Sequence, residues 1–320
     1  GASCVDLDTA PYDRETDLTY WEEDPEAAVK ALNTCYTYLG NMDEQLYCEA
    51  MTDNAYTKQP NDATQNIGNG SYSTADPYVK KVWDGRYTGI RMCNELLENI
   101  DRVPDLSETE KARMIAETKC LIAARYFDMF RHFGELPIVK ASFAAENEYD
   151  VPRATVEETV NFMIGLLDEA ATVLPWDLTE DGEANWQGRM TKAAAMGLKC
   201  KILLFAASPL FNDNEPYCTA EPQEAVINHQ VWYGGYKPEL WKACLTACEE
   251  FFQALQVNGH YELVQAVGDT NDAYRAAFNK AYFLRENSEL LISTRIIGEY
   301  NWDWWYYWGD WVPNGGYTPT

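Results

Sequence analysis

Residues Trp186 to Asn212, WQGRMTKAAAMGLKCKILLFAASPLFN, constrain the fold more than any other stretch of the chain. Thr191 is a suitable N-cap, and Ser208-Pro209 ends the helix because a residue before proline avoids the helical region. Between them Ala194, Ala195, Leu198, Ile202, Phe205 and Ala206 recur at the helical period and form one apolar stripe. Lys192 and Lys199 share another face, and Lys201 lies at the margin of the stripe. Ala193, Ala194, Ala195 and Gly197 have almost no side chain, so a second helix can approach this backbone closely. The pattern predicts a central packing helix whose function is to hold other helices.

The same period recurs along the chain. Asp24-Pro25 opens a helix reaching about Leu39 through Ala28, Val29, Leu32 and Tyr36. Another carries Trp83, Tyr87, Ile90, Asn94, Leu97 and Ile100. Ser107 with Glu110 and Thr155 with Glu158 have the spacing of capping boxes, placing helices after each. The first of these carries Ile115, Ile122, Tyr126, Met129 and Phe130 and stops at Gly134 and Pro137. Residues 213–238 read as an irregular insertion, with helices following near 239–256 and 271–279. Glu289 to Thr294 is short, apolar and partly β-branched, as in a buried strand. The expected fold is therefore mostly α, in antiparallel helix pairs spaced like a repeat solenoid, with irregular material between them.

Composition removes several functions. A net charge of −26 repels phosphate backbones, so nucleic acid is a poor partner. The chain has no apolar run long enough to span a membrane. Its three His (132, 229, 260) are scattered, and its nine Cys include no CxxC pair, which speaks against zinc. Cys244 and Cys248, four apart on a helix, suit neighbouring thiols better than a disulfide. Asp177 to Gly188 starts like a calcium loop but ends on Gly where the final Glu is required. No nucleophile elbow, phosphate loop or zinc helix is present, and no cofactor is implied.

Three segments carry candidate function. Residues 53–77 form a long polar loop offering Tyr56, Asn69 and Tyr72 to a ligand. Tyr300 to Trp311 is dense in Trp and Tyr, and rings at Trp304-Trp305-Tyr306-Tyr307-Trp308 cannot all be buried. Trp302, Trp304 and Trp305 can cover the flat C–H faces of sugar rings while Asn301 and Asp303 meet hydroxyls. The other reading of these rings is a protein interface. At the N-terminus Ala2-Ser3-Cys4 has the small-small-Cys form of a bacterial lipoprotein site, with Cys4 as the lipidated residue or an ordinary terminal Cys. On the first reading, the acidic stretch that follows, to Asp24, is a tether.

Several of these stretches together resemble the SusD/RagB family of bacterial outer-membrane nutrient-binding lipoproteins. They are Trp83-x3-Tyr87-x2-Ile90-x3-Asn94, Ala123-Ala-Arg-Tyr-Phe127 leading to Phe133-Gly134-x2-Pro137, and Pro152-Arg153-x-Thr155-x2-Glu158. Gly188-Arg189-x-Thr191-Lys192-x-Ala194-Ala195 and Asn287-Ser288-Glu289-Leu-Leu-Ile-Ser293 complete the set. The resemblance implies tetratricopeptide-like helix pairs supporting an irregular ligand-binding half, a lipid anchor at Cys4 in the outer membrane, and a SusC-like, TonB-dependent transporter as partner. It divides the chain into a tether (1–24), a helical domain (25–212) and the start of a C-terminal portion (213–320), because family members are usually much longer. The function so implied is non-catalytic binding of oligosaccharide at the cell surface. A peptide ligand, a glycoside hydrolase and a purely structural helical adaptor are the competing readings.

Overall fold

A computed structural model describes residues 17–37, 39, 51–53, 55–57, 63–73, 77–143, 150–179, 188–219, 223–284, 287–293 and 317–319. Its helices are α1 (Asp17–Glu22), α2 (Ala27–Thr37), α3 (Ala63–Gly68), α4 (Pro77–Asn99), α5 (Glu108–Phe133) and α6 (Val156–Ala171). There follow α7 (Lys192–Ala207), the single turn α8 (Glu224–Ile227), α9 (Pro238–Asn258) and α10 (Asn271–Phe283). Two short strands, β1 (Ala55–Thr57) and β2 (Tyr317–Pro319), pair antiparallel, with Tyr56 opposite Thr318.

Local chemistry starts the scaffold helices where the sequence says it should. Both capping boxes form: Ser107 Oγ accepts from Glu110 N (3.2 Å), and Thr155 Oγ1 accepts from Glu158 N (3.1 Å). Each Glu carboxylate in return accepts from the backbone N–H of its cap residue. Thr191 Oγ1 accepts from Ala194 N at 3.0 Å and caps α7. At the far end of α5, Gly134 takes a φ of +71°, a region costly for other residues, and its N–H donates to Phe130 O.

The helices stack in sequence order. α2 lies on α4, α4 on α5, α5 on α6, α6 on α7, and α7 on α9. This is the tetratricopeptide-like arrangement expected from the sequence. One core runs through it, from Trp21 and Leu32 by way of Ile90, Phe127 and Phe130 to Met163, Ile202 and Phe211. The apolar stripe of α7 is buried as its period requires, and Phe205 contributes edge contacts to Phe127 and Phe130.

Four local readings are corrected. The most enclosed helix is α5, buried nearly all round from Ala116 to Phe130, whereas α7 is flanked by α6 and α9. α5 hides this in the sequence because Glu117, Arg125 and Asp128 are buried with it. Residues 289–293 form a turn and bends rather than a strand. Among the described residues no strand pairs with them, and Leu291 packs on α7 instead: a Cβ at Gly197 would lie 2.6 Å from Leu291 Cδ1, so the small residue there admits a leucine side chain. The polar loop 53–77 contains β1 and α3. Helix α1 falls within the stretch read as a tether, and its Trp21 is buried, so the core reaches back at least that far. The seven described cysteines, Cys244 and Cys248 among them, are free thiols.

Candidate ligand-binding site

The motif residues are mostly latches. Asn94 Nδ2 donates to Val139 O and Ala141 O, both at 3.2 Å, so a helix residue holds the connection that follows α5. Tyr87 OH and Tyr126 OH both donate to Pro137 O, and Tyr126 OH accepts from Val139 N at 2.8 Å. Arg153 pairs with Glu135 at 2.7 Å and covers the Trp83 ring at 5.3 Å.

Around Glu117 the arrangement is deeper. Its Oε2 accepts from Tyr36 OH (2.7 Å) and Arg189 Nε (2.8 Å), while Met190 N donates to the same Tyr36 oxygen. Burial pushes Glu117 above the usual carboxylate value, with Arg189 and Arg113 pulling it back. Asp128 ends the other way: burial works to raise it, but Arg86 and Arg131 outweigh that and hold it below its ordinary value. Asn287 finishes the set, donating to Ala281 O and Leu284 O (2.8 Å each) and accepting from Glu289 N. These groups fasten helices to loops. Their bonds are made within the protein, although among the described residues the buried Glu117 Oε1 and Glu135 Oε2, out of reach of solvent, have no hydrogen-bond partner.

Free capacity lies elsewhere. After α3 the chain turns at Gly70, with a φ of +75° and open space where a side chain would be. Asn69 Oδ1 accepts from Ser71 N (2.9 Å) and Ser71 Oγ (2.6 Å), which fixes the turn and leaves the Asn69 amide nitrogen as its remaining donor. Tyr72 follows on this rigid turn, 45% exposed, its ring open to a ligand. Tyr56 stands in β1, a strand whose partner β2 begins six residues after Trp311 in sequence. The pairing therefore brings the polar loop beside the chain that leaves the aromatic run. Asn301, Trp302, Asp303, Trp304, Trp305 and Cys4 lie outside the described residues.

A cavity that sequence reasoning missed opens at the N-terminus of α7. It measures about 230 Å³ and is lined by Thr179, Arg189, Thr191, His260, Tyr261 and Ser293, among others. Burial raises the Tyr261 phenol, partly offset by its hydrogen bond with Thr191. Trp176 Nε1 donates to Gly259 O at 3.0 Å and sets the loop that carries His260 and Tyr261. Its size falls below the ~300–1,000 Å³ of ordinary small-molecule sites, and it contains none of the sequence-nominated binding residues. The gathering of three loops could not be read from any one of them. Among the described residues no group of three or more His, Cys, Asp or Glu is placed to hold a metal ion. No described helix is long and apolar enough to cross a membrane.

Comparison with known proteins places this geometry. Residues 15–204 match the model of a SusD-like family described as starch-binding associating with outer membrane. A SusD-like protein of Bacteroides ovatus is 26% identical over 131 residues, which is 40% of this chain and 23% of that protein. Among solved structures, a SusD-like protein from Bacteroides fragilis NCTC 9343 has a TM-score of 0.64 at 22% identity, covering 90% of this chain and 47% of its own. A SusD homolog from Bacteroides thetaiotaomicron VPI-5482 has a TM-score of 0.65 at 20% identity, covering 89% and 49%. A laminarin-binding SusD-like protein has a TM-score of 0.50 at 24% identity, covering 56% and 40%. At these identities the structures show a shared fold. The chain spans about half the length of the first two solved relatives and about a quarter of the curated one.

Proposed function

The chain belongs to the SusD-like family, and on that premise we propose that it is a cell-surface lipoprotein that binds oligosaccharide and delivers it to a SusC-like, TonB-dependent outer-membrane transporter. The observation that carries this reading is the family match over residues 15–204, whose description joins starch binding to the outer membrane. That the laminarin-binding protein shares the fold agrees with a glycan ligand. Binding is the protein's task in this reading, with no catalytic group. The lipid is carried on Cys4, and the diacylglyceryl and amide-linked chains of such a residue supply the multiple acyl groups that stable anchoring needs.

The ligand lies between the turn at residues 69–72 and the aromatic run. Trp302, Trp304 and Trp305 stack on sugar faces, Asn301 and Asp303 bond hydroxyls, and Tyr72, Asn69 and Tyr56 complete the opposite wall. Support comes from the β1–β2 pairing, since chain length keeps Trp311 within about 25 Å of β1 and Trp305 within about 45–50 Å across the residues leading to Tyr317. Aromatic side chains have few rotatable bonds, so they lose little entropy on binding. Calorimetric titration with α-glucan and β-glucan oligosaccharides tests the reading, with Trp302→Ala, Trp304→Ala, Trp305→Ala and Tyr72→Ala as variants. Binding by the parent and its loss in at least two variants that melt normally is expected. A parent that binds peptides and no glycan overturns it.

A further inference from the structure

The core between α2, α4 and α5 holds a buried cation with no carboxylate beside it. Arg125 of α5 is fully buried, and its guanidinium donates to Leu121 O, Cys93 Sγ and Cys35 O. Among the described residues its Nε has no hydrogen-bond partner. A buried cation without an anion is costly, so the groups it does touch matter. Two of them belong to cysteines. Cys35 of α2 and Cys93 of α4 are fully buried with their thiols hydrogen-bonded to one another, and Arg125 Nη1 reaches the Cys93 sulfur at 3.5 Å. The bond from Cys35 lowers Cys93 and the guanidinium adds to that, against the effect of burial, while the same thiol–thiol bond and burial raise Cys35. The other charges facing the group come from α4: Glu95 raises Cys35 further, and Arg86, itself paired with Asp128, acts on Arg125.

We propose that Cys35 and Cys93 are a modification site, a redox pair that closes to a disulfide and fastens α2 to α4. Two sulfurs already in hydrogen-bond contact need only small side-chain rotations to reach bonding distance. Arg125 is the positioning residue, holding Cys93 as the attacking thiolate. The oxidant is a small-molecule disulfide such as oxidised glutathione. The Cys93 thiolate attacks one of its sulfurs, forming a mixed disulfide and expelling one glutathione thiolate. The Cys35 sulfur then attacks the Cys93 sulfur and expels the second glutathione, while the Cys35 proton passes to an expelled thiolate. Two electrons leave the cysteines and reduce one disulfide to two thiols. Helix α2 rests on its neighbours through Ala27, Ala28, Leu32 and Cys35, so its transient release is the route by which the oxidant reaches the pair. The proposal is independent of which ligand the protein binds.

The experiment equilibrates the protein with mixtures of oxidised and reduced glutathione, alkylates the remaining thiols, and maps unreduced peptides by mass spectrometry. The expected product is a cross-link between the peptides carrying Cys35 and Cys93. Closing a loop of about 60 residues should also raise Tm by about 5 °C over the reduced protein. Cys35→Ser should leave glutathione attached to Cys93, whereas Cys93→Ser should leave Cys35 unmodified. Arg125→Met should move the pH midpoint of cross-linking upward by about one unit or more, and Arg125→Lys, which keeps the cation, should restore it toward the parent. Two thiols that stay unlinked at every glutathione ratio, or that link to other cysteines instead of each other, overturn the proposal. Mapping of the parent alone reads that outcome, so it does not depend on a serine variant folding. Equal midpoints in the parent, Arg125→Met and Arg125→Lys overturn the role of Arg125.

Discussion

Gly89→Ala sets two known effects against each other. Gly89 lies inside α4, where alanine gains about 1 kcal/mol in helix propensity over glycine. Its missing Cβ is the space in which Arg125 lies: an added Cβ would stand 2.9 Å from Arg125 Cδ, 3.0 Å from Cζ and closer still to Nε. Arg125 is 1% exposed and cannot swing into water. Its Nη1 donates to Leu121 O at 3.1 Å and to Cys93 Sγ at 3.5 Å, while Nη2 donates to Cys35 O, tying α5 to α4 and α2. Overpacking costs about 1–3 kcal/mol, and each strained charged hydrogen bond forfeits part of a further ~1.5–3 kcal/mol. The clash therefore wins, with net destabilisation of about 2–4 kcal/mol, or roughly 3–6 °C in Tm for a chain of 320 residues. Urea unfolding followed by circular dichroism measures it. Gly165→Ala in α6 is the control, because nothing lies within 4 Å of its Cβ position, and it gains about 0.5–1 kcal/mol. Arg125→Met in the Gly89→Ala background recovers at least about 1 kcal/mol of coupling. If Gly89→Ala stabilises as much as Gly165→Ala does, the buried arginine is not the reason for the glycine, and the reasoning fails.

Three further outcomes are expected. Ala194→Leu or Ala195→Leu, at fully enclosed positions of α7, costs about 1–3 kcal/mol while glycan affinity per folded molecule is unchanged; a selective loss of binding at constant melting temperature would make α7 part of the site. Asp128 has its folded-state pKa lowered by Arg86 and Arg131, so its stabilisation is present above the ordinary value near 3.8 and is lost as pH falls through the lower folded value; Asp128→Asn should flatten that acid limb of a stability–pH profile, and an unchanged slope would contradict the assignment. Asn69→Ala removes the acceptor for Ser71 N and Oγ, so it should weaken ligand binding through disorder of the turn, and equal affinity in Asn69→Ala and parent would exclude the turn from the site.

Helix starts and stops were written in the sequence because each depends on residues only three or four apart. Ser107 with Glu110, Thr155 with Glu158, Thr191 and Gly134 all form the local bonds their spacing announces. The apolar stripe of α7 was equally legible, since burial follows the helical period whatever lies opposite. Long-range pairings were not. Glu117 finds Arg189 72 residues away and Tyr36 81 residues away, and that pairing lets α5, which looks half-charged, become the most enclosed helix. Glu289 to Ser293 has the composition of a strand, but a strand needs a neighbour, and the fold supplied the groove at Gly197 instead. The candidate site divides the same way. Sequence reading sets Tyr72 opposite the tryptophan run as one expected site; what only the tertiary structure supplies is the antiparallel pairing of β1 with β2, between residues some 260 positions apart, a contact that no local pattern announces.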